Sequence, residues 1–418
     1  MYYKILPPKN INAKVKLPSS KSISNRALII NAILGTTKMP HNLSLCDDTD
    51  VIIRALKDKP YEINIKASGT AMRFMTALLS ITVGEHHLLT GTERMKQRPI
   101  KILVDALKTL GADIEYKEKE GYPPLLIRGK KLEGGKIEIE GDISSQYISA
   151  LMLVAPALKN GLEIKLIGEI VSRPYIDLTL HIMHSFGAEV EWTDVDTIVV
   201  YPKEYVPKDY VIENDWTSAA YWYEILSLID DKDSKIEFSM LKNSSRQGDS
   251  AVKYIFSLLG IKSNFSVKDK NGMSNLLLSC RNRTIPRLEY DFTNQPDLAQ
   301  TMIAICPILN IPFKFIGVEN LKLKETDRIT AMITEMAKLG YVIDYNKNSE
   351  IIWEGKRCKA NIPIIIDTYN DHRMAMTFAP LCLKLGSIII NNPNVVTKSY
   401  PEFWNELTKA GFKIIECD

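Results

Sequence analysis

Eight basic residues stand at or near the openings of helices predicted from the apolar periodicity. They are Lys21 and Arg26 in "LPSSKSISNR", Arg98 in "MKQRP", Arg173 in "SRPY", Lys324 and Arg328 in "KETDR", Arg373 in "NDHR" and Lys398 in "TKSYP". A cation there faces the positive end of the helix dipole, at a cost of about 0.3–1 kcal/mol each. Helix starts also carry unpaired N–H groups and readily accept anions. The serines, Asn and Asp in these stretches are ordinary caps. Glu325, Asp327 and Arg328 read alone as first-turn charges and a surface pair of little weight. Capping does not account for the cations, and a ligand carrying several phosphates and carboxylates is the simplest common cause. Guanidinium groups bind such oxyanions in two-pronged fashion and so orient them as well as attract them.

That anion has no glycine loop to sit in. The chain lacks GxxxxGK[ST], and no GxGxxG opens a strand-to-helix turn; HExxH, DxDxDG and GxSxG are also missing. Lys+Arg number 53 against 50 Asp+Glu, so no global basic field points to nucleic acid. The six cysteines form no CxxC pair and no metal-spaced set with histidine. No metal and no cofactor is expected. Absence of a signal-like or membrane-spanning apolar run predicts a cytoplasmic location.

The elements that must position these cations recur. An amphipathic stretch closed by glycine and followed by a strand-like run appears five times, as in "VDALKTLGADIEY" and "ITEMAKLGYVIDY". The closing glycines are Gly111, Gly187, Gly260, Gly340 and Gly411, spaced 76, 73, 80 and 71 residues apart. Glycine supplies the left-handed residue just past a helix. A second apolar helix and a strand precede each. The unit is therefore helix, strand, helix, strands, repeated five times, with a sixth, degenerate copy opening at "SSKSISNR". The fold class predicted is α/β, in two similar domains of three repeats each. One spans 14–213; the other combines 1–13 with 214–418.

These motifs resemble the 3-phosphoshikimate 1-carboxyvinyltransferase family of enolpyruvyl transferases. The likeness runs through "LPSSKSISNRAL", "SGTAMR", "LTGTERMKQRPI", "GDISSQYISAL", "SRPYIDLTL", "SRQGD", "QPDLAQT", "KETDRITAM", "YNDHRMAM" and "VVTKSYPEFW". It implies an inside-out α/β barrel in each domain, an active site in the interdomain cleft, and a chain acting as a monomer. The implied reaction moves the enolpyruvyl group of phosphoenolpyruvate to the 5-hydroxyl of shikimate 3-phosphate, by addition and then elimination of phosphate. By the same resemblance Lys21, Gly69, Arg98, Gln146, Arg328, Arg373 and Lys398 hold phosphoenolpyruvate. Lys21, Ser22, Arg26, Ser144, Ser145, Gln146, Ser172, Tyr175, Asp297, Asn320 and Lys324 hold shikimate 3-phosphate. Asp297 takes the hydroxyl proton, Glu325 and Lys21 serve the methylene carbon, and His372 assists departure of phosphate.

The chain departs from the family pattern at Lys66 and Ala67, where glycine–asparagine is usual, and at Phe74, where proline is common. The 51–66 segment is also short. The sister enzyme acting on UDP-N-acetylglucosamine carries a reactive cysteine in the loop matching "GTERMKQRPI", and here no cysteine lies between Cys46 and Cys280. A non-catalytic binder of phosphorylated metabolites would need the cations but not Asp297 and Glu325.

Overall fold

A computed structural model of the chain describes residues 1–142, 144–282 and 285–417. It contains two compact units, 19–212 and 1–18 with 213–418, each built around its own hydrophobic core. Each of the five full repeats forms one four-stranded sheet, and all five sheets share a topology.

The 1–18 segment supplies β1 (Tyr2–Leu6) and β2 (Asn12–Lys14). In the 19–212 unit, β3 (Glu62–Asn64) and β4 (His86–Thr90) run parallel; β5 (Asp113–Tyr116) and β6 (Leu125–Arg128) complete the sheet antiparallel, in order β3-β4-β6-β5. The next repeat copies this with β7 (Gly135–Glu140), β8 (Leu162–Ile167), β9 (Val190–Asp194) and β10 (Thr197–Val200). The degenerate first repeat, helices Lys21–Ile33 and Asp47–Asp58, builds no sheet among the described residues.

In the other unit β11 (Lys235–Leu241), β12 (Ile261–Phe265) and β13 (Ser274–Cys280) take β2 as their parallel edge. Strands β14 (Leu288–Asp291), β15 (Phe313–Ile316), β16 (Asp344–Tyr345) and β17 (Ile351–Trp353) form the next sheet. In the last, β18 (Ile365–Ile366) pairs parallel with β19 (Ile388–Asn391), β19 pairs with β1, and β1 in turn pairs with β20 (Lys413–Cys417). The full repeat thus begins one strand earlier than the periodicity shows, with a parallel edge strand ahead of the first helix.

Local chemistry sets the helix ends. The five closing glycines all adopt positive φ, from 84° to 100°. Ser20, Ser68, Asp215, Asp327 and Asp371 each accept a hydrogen bond from a backbone N–H in the first turn of their helix. Several helices that open the repeats are apolar on nearly every face; Trp216–Leu228 and Ala299–Ile308 are buried at all but two and one of their residues, respectively. Such helices form the inner layer, and the polar clusters lie at their N-terminal ends.

Candidate active site

In the 213–418 unit the predicted residues assemble into one alternating ion-pair chain. Arg328 opens the helix Arg328–Lys338 and is 2% exposed. Its Nη1 donates to Asp297 at 3.1 Å, its Nη2 to Glu325 at 2.9 Å, and its Nε and Nη2 to Asp371 at 2.7 and 3.3 Å. Asp297 also pairs with Arg373 at 2.8 Å, and Glu325 with Lys398 at 2.6 Å. The Arg373 guanidinium donates in addition to the Tyr221 hydroxyl at 3.3 Å. His372 is buried, with Nδ1 3.5 Å from Asp371. Asn320 lies on the 3₁₀ turn Glu319–Leu323, and Lys324 follows it. Glu325 and Arg328 are therefore not a surface pair: at this burial a mispaired charge costs several kcal/mol.

These pairs set the electrostatics. Burial alone would push Asp297 up, but Arg373, Lys324 and Arg328 outweigh it and hold its carboxyl far below the usual range. Asp249, reached by the Thr217 hydroxyl, is pushed up to about 7 by burial and by the charge of Asp297. Burial would lower Arg328, yet Asp371 and Glu325 carry it above its ordinary value.

The 19–212 unit gathers the other predicted residues differently. Arg26 is 3% exposed, and its guanidinium donates to Thr179 Oγ1 at 2.7 Å, Ser22 O at 2.8 Å, Ser149 Oγ at 3.1 Å and Tyr175 O at 3.2 Å. Burial lowers it to about 10, and no carboxylate of the described residues pairs with it. Lys21 pairs with Asp48 at 2.9 Å. Gly69 lets the Arg98 guanidinium lie against the backbone: a Cβ there would stand 2.7 Å from Arg98 Nη1, and the arginine would have to move aside. Next to it, Gln146 donates to Thr70 at 3.1 Å. Ser144 caps the helix Ser145–Val154, and Ser172 holds a left-handed φ of 55° ahead of Arg173–Ser185, which carries Tyr175.

Several placements were not visible beforehand. Arg173 does not join the other cations; it donates to Val195 O and lies 4.0 Å from the Trp192 ring. The carboxylates balancing Lys21 and Arg328, Asp48 and Asp371, were missed, although Asp371 sits inside the quoted "NDHR". Arg73 and Tyr147 both donate to Pro99 O and so pin the residue after Arg98. Phe74 is fully buried with its ring 5.4 Å from the Arg26 guanidinium, so this departure touches Arg26. Lys66 takes a left-handed φ of 51°. Among the described residues no His/Cys/Asp/Glu group suits a metal ion, and no helix is long and apolar enough to cross a membrane.

Comparison with known proteins bears on the whole chain. The family model described as EPSP synthase (3-phosphoshikimate 1-carboxyvinyltransferase) matches residues 5–59 and 57–407. A 3-phosphoshikimate 1-carboxyvinyltransferase of Bacteroides fragilis is 49% identical over 414 residues, covering 99% of each chain. One from Aliivibrio fischeri is 35% identical over 430, covering 96% of this chain and 97% of its own. Among solved structures, EPSP synthase from Acinetobacter baumannii superposes with a TM-score of 0.76 at 20% identity, covering 99% of this chain and all of that one. That likeness establishes the two-domain α/β fold.

Proposed function

The chain belongs to the EPSP synthase (3-phosphoshikimate 1-carboxyvinyltransferase) family, and from that premise we propose how its own residues carry the reaction. It is a transferase of the shikimate pathway, moving the enolpyruvyl group of phosphoenolpyruvate to the 5-hydroxyl of shikimate 3-phosphate. The observation that carries the residue assignment is the alternating chain Lys398–Glu325–Arg328–Asp297–Arg373.

In the 213–418 unit Arg328, Arg373 and Lys398 grip the phosphate and carboxylate of phosphoenolpyruvate. Asp297 accepts the proton of the attacking hydroxyl as its oxygen bonds to the central carbon of phosphoenolpyruvate. Glu325 exchanges a proton with the methylene carbon, which becomes a methyl group in the tetrahedral intermediate. Elimination then removes one methyl proton and breaks the carbon–phosphate oxygen bond, with His372 beside the departing phosphate. Asn320 and Lys324 serve shikimate 3-phosphate. In the resting chain Asp297 and Glu325 occupy the same cations. An incoming trianion competes with them for Arg328, Arg373 and Lys398, and each carboxylate gains proton affinity as its cation is drawn away.

In the 19–212 unit Lys21, Arg98, Gln146 and the bare backbone of Gly69 serve phosphoenolpyruvate, with Lys21 also available for proton transfer. Ser22, Arg26, Ser144, Ser145, Gln146, Ser172 and Tyr175 serve shikimate 3-phosphate, together with Lys21. The protein acts as a cytoplasmic monomer; each unit closes a hydrophobic core of its own, and light scattering should return 47.3 kDa.

Phosphate release from phosphoenolpyruvate is the test. Release that depends on shikimate 3-phosphate is expected. Release supported only by UDP-N-acetylglucosamine, or none, overturns the reading.

A further inference from the structure

Between β18 and the helix His372–Phe378 the backbone does something costly. Tyr369 and Asn370 both take left-handed conformations, with φ of 52° and 56°. Asparagine tolerates that region; for tyrosine it is a true outlier, at about 1–3 kcal/mol. Strain of this kind persists only where the surroundings over-determine it, and here they do. The Tyr369 hydroxyl donates to Glu335 Oε1 at 2.6 Å. Glu335 is fully buried, and its Oε2 accepts from Asp367 N at 3.2 Å and from Lys338 at 2.8 Å. Asn392 donates to Asn370 Oδ1 at 2.9 Å, and Asp371 N closes the turn onto Thr368 O at 2.8 Å.

The turn delivers Asp371. One of its oxygens accepts from Arg373 N at 2.9 Å and from Arg328 Nη2, while the other takes Arg328 Nε. Arg328 and Glu335 lie on the same helix, seven residues or about 10 Å apart. The left-handed turn is therefore tied to that helix twice: at its first residue through Asp371, and two turns on through Tyr369.

We propose that the Tyr369–Glu335 hydrogen bond is a positioning device for Arg328 and Arg373, holding the strained turn so that Asp371 can fix the Arg328 guanidinium and the backbone N–H of Arg373. This rests on the reading of those arginines as the phosphoenolpyruvate grip. Neither Tyr369 nor Glu335 touches substrate; both act through Asp371. Small displacements of anion-binding groups are costly to reaction geometry, up to about a hundredfold for 1 Å.

The test uses the full chain and steady-state phosphate release with each substrate varied in turn. Tyr369→Phe removes one hydroxyl and should lower kcat/KM for phosphoenolpyruvate about tenfold, with KM for shikimate 3-phosphate changed less than twofold. Tyr369→Gly relieves the backbone but loses the tie, so it should lose at least as much activity while keeping its melting temperature. Glu335→Gln retains an acceptor for the hydroxyl and should lose less than Glu335→Ala. Combining Tyr369→Phe with Glu335→Ala should cost no more than Glu335→Ala alone. An active wild type with Tyr369→Phe unchanged, or with both substrates affected equally in step with melting temperature, overturns the positioning role. A wild type with no shikimate 3-phosphate-dependent release overturns the reading of the site, and this proposal with it.

Discussion

Arg26 and Arg328 are equally buried and oppositely surrounded. Four neutral oxygens hold Arg26, whereas Arg328 is held by three carboxylates. The first is lowered to about 10 by burial; the second rises above its ordinary value because its partners outweigh burial. A guanidinium fixed by neutral acceptors keeps its field for an incoming anion. One wrapped in carboxylates serves as the hub that sets where those carboxylates stand. Two arginines of the same type thus do different work, and the neighbours rather than the residue decide which.

The largest expected effect breaks the hub. Arg328→Met leaves Asp297, Glu325 and Asp371 facing one another, and should cost about 3–5 kcal/mol in urea unfolding as well as abolishing turnover. Arg26→Met should cost less than about 2 kcal/mol, because Ser149 and Thr179 still bond to each other at 2.8 Å, while raising KM for shikimate 3-phosphate. Equal destabilisation by the two changes would remove the distinction. Next in size, Asp297→Ala or Glu325→Ala should lower kcat about 10²- to 10⁴-fold with a far smaller change in KM, read by the same phosphate-release assay. Gly69→Ala places a Cβ against Arg98 and should raise KM for phosphoenolpyruvate about tenfold, some 1.4 kcal/mol, leaving KM for shikimate 3-phosphate alone.

The smallest effect concerns Asp249. Its carboxyl, pushed up to about 7, binds a proton in the fold where the unfolded chain, near 3.8, has released it. Its contribution to stability therefore falls as pH climbs through that window. Asp249→Asn should raise the melting temperature by a few degrees at pH 8 and by less at pH 5. An advantage that shrinks with rising pH would contradict the assigned cause.

What the sequence made legible was short-range. Helix, glycine and strand follow one another within a dozen residues, so the repeat could be read from periodicity and from the left-handed glycines. Strands β3 and β18, three and two residues long, are too short to show any period. The pairings of β1 with β20 and β2 with β11 join residues hundreds apart and leave no local mark. The site divides the same way. The cations stood out because they oppose their own helix dipoles. Asp48 and Asp371 did not, since an acid in the first turn or at the cap of a helix is unremarkable until its partner, 27 or 43 residues away, is seen. Tyr369 carried no signal at all, because a backbone angle cannot be read from a residue type that ordinarily avoids it.

The long-range strands also set a timetable. Residues 19–212 are contiguous, so that unit has all its parts once the ribosome has passed them. The other unit needs β1 between β19 and β20, and β20 is made more than 400 residues after β1. At about 5–20 residues per second, β1 waits on the order of 20–80 s for its neighbour. During that interval β1 has neither of its neighbouring strands, and a chaperone that shields extended segments is the kind of helper this architecture calls for.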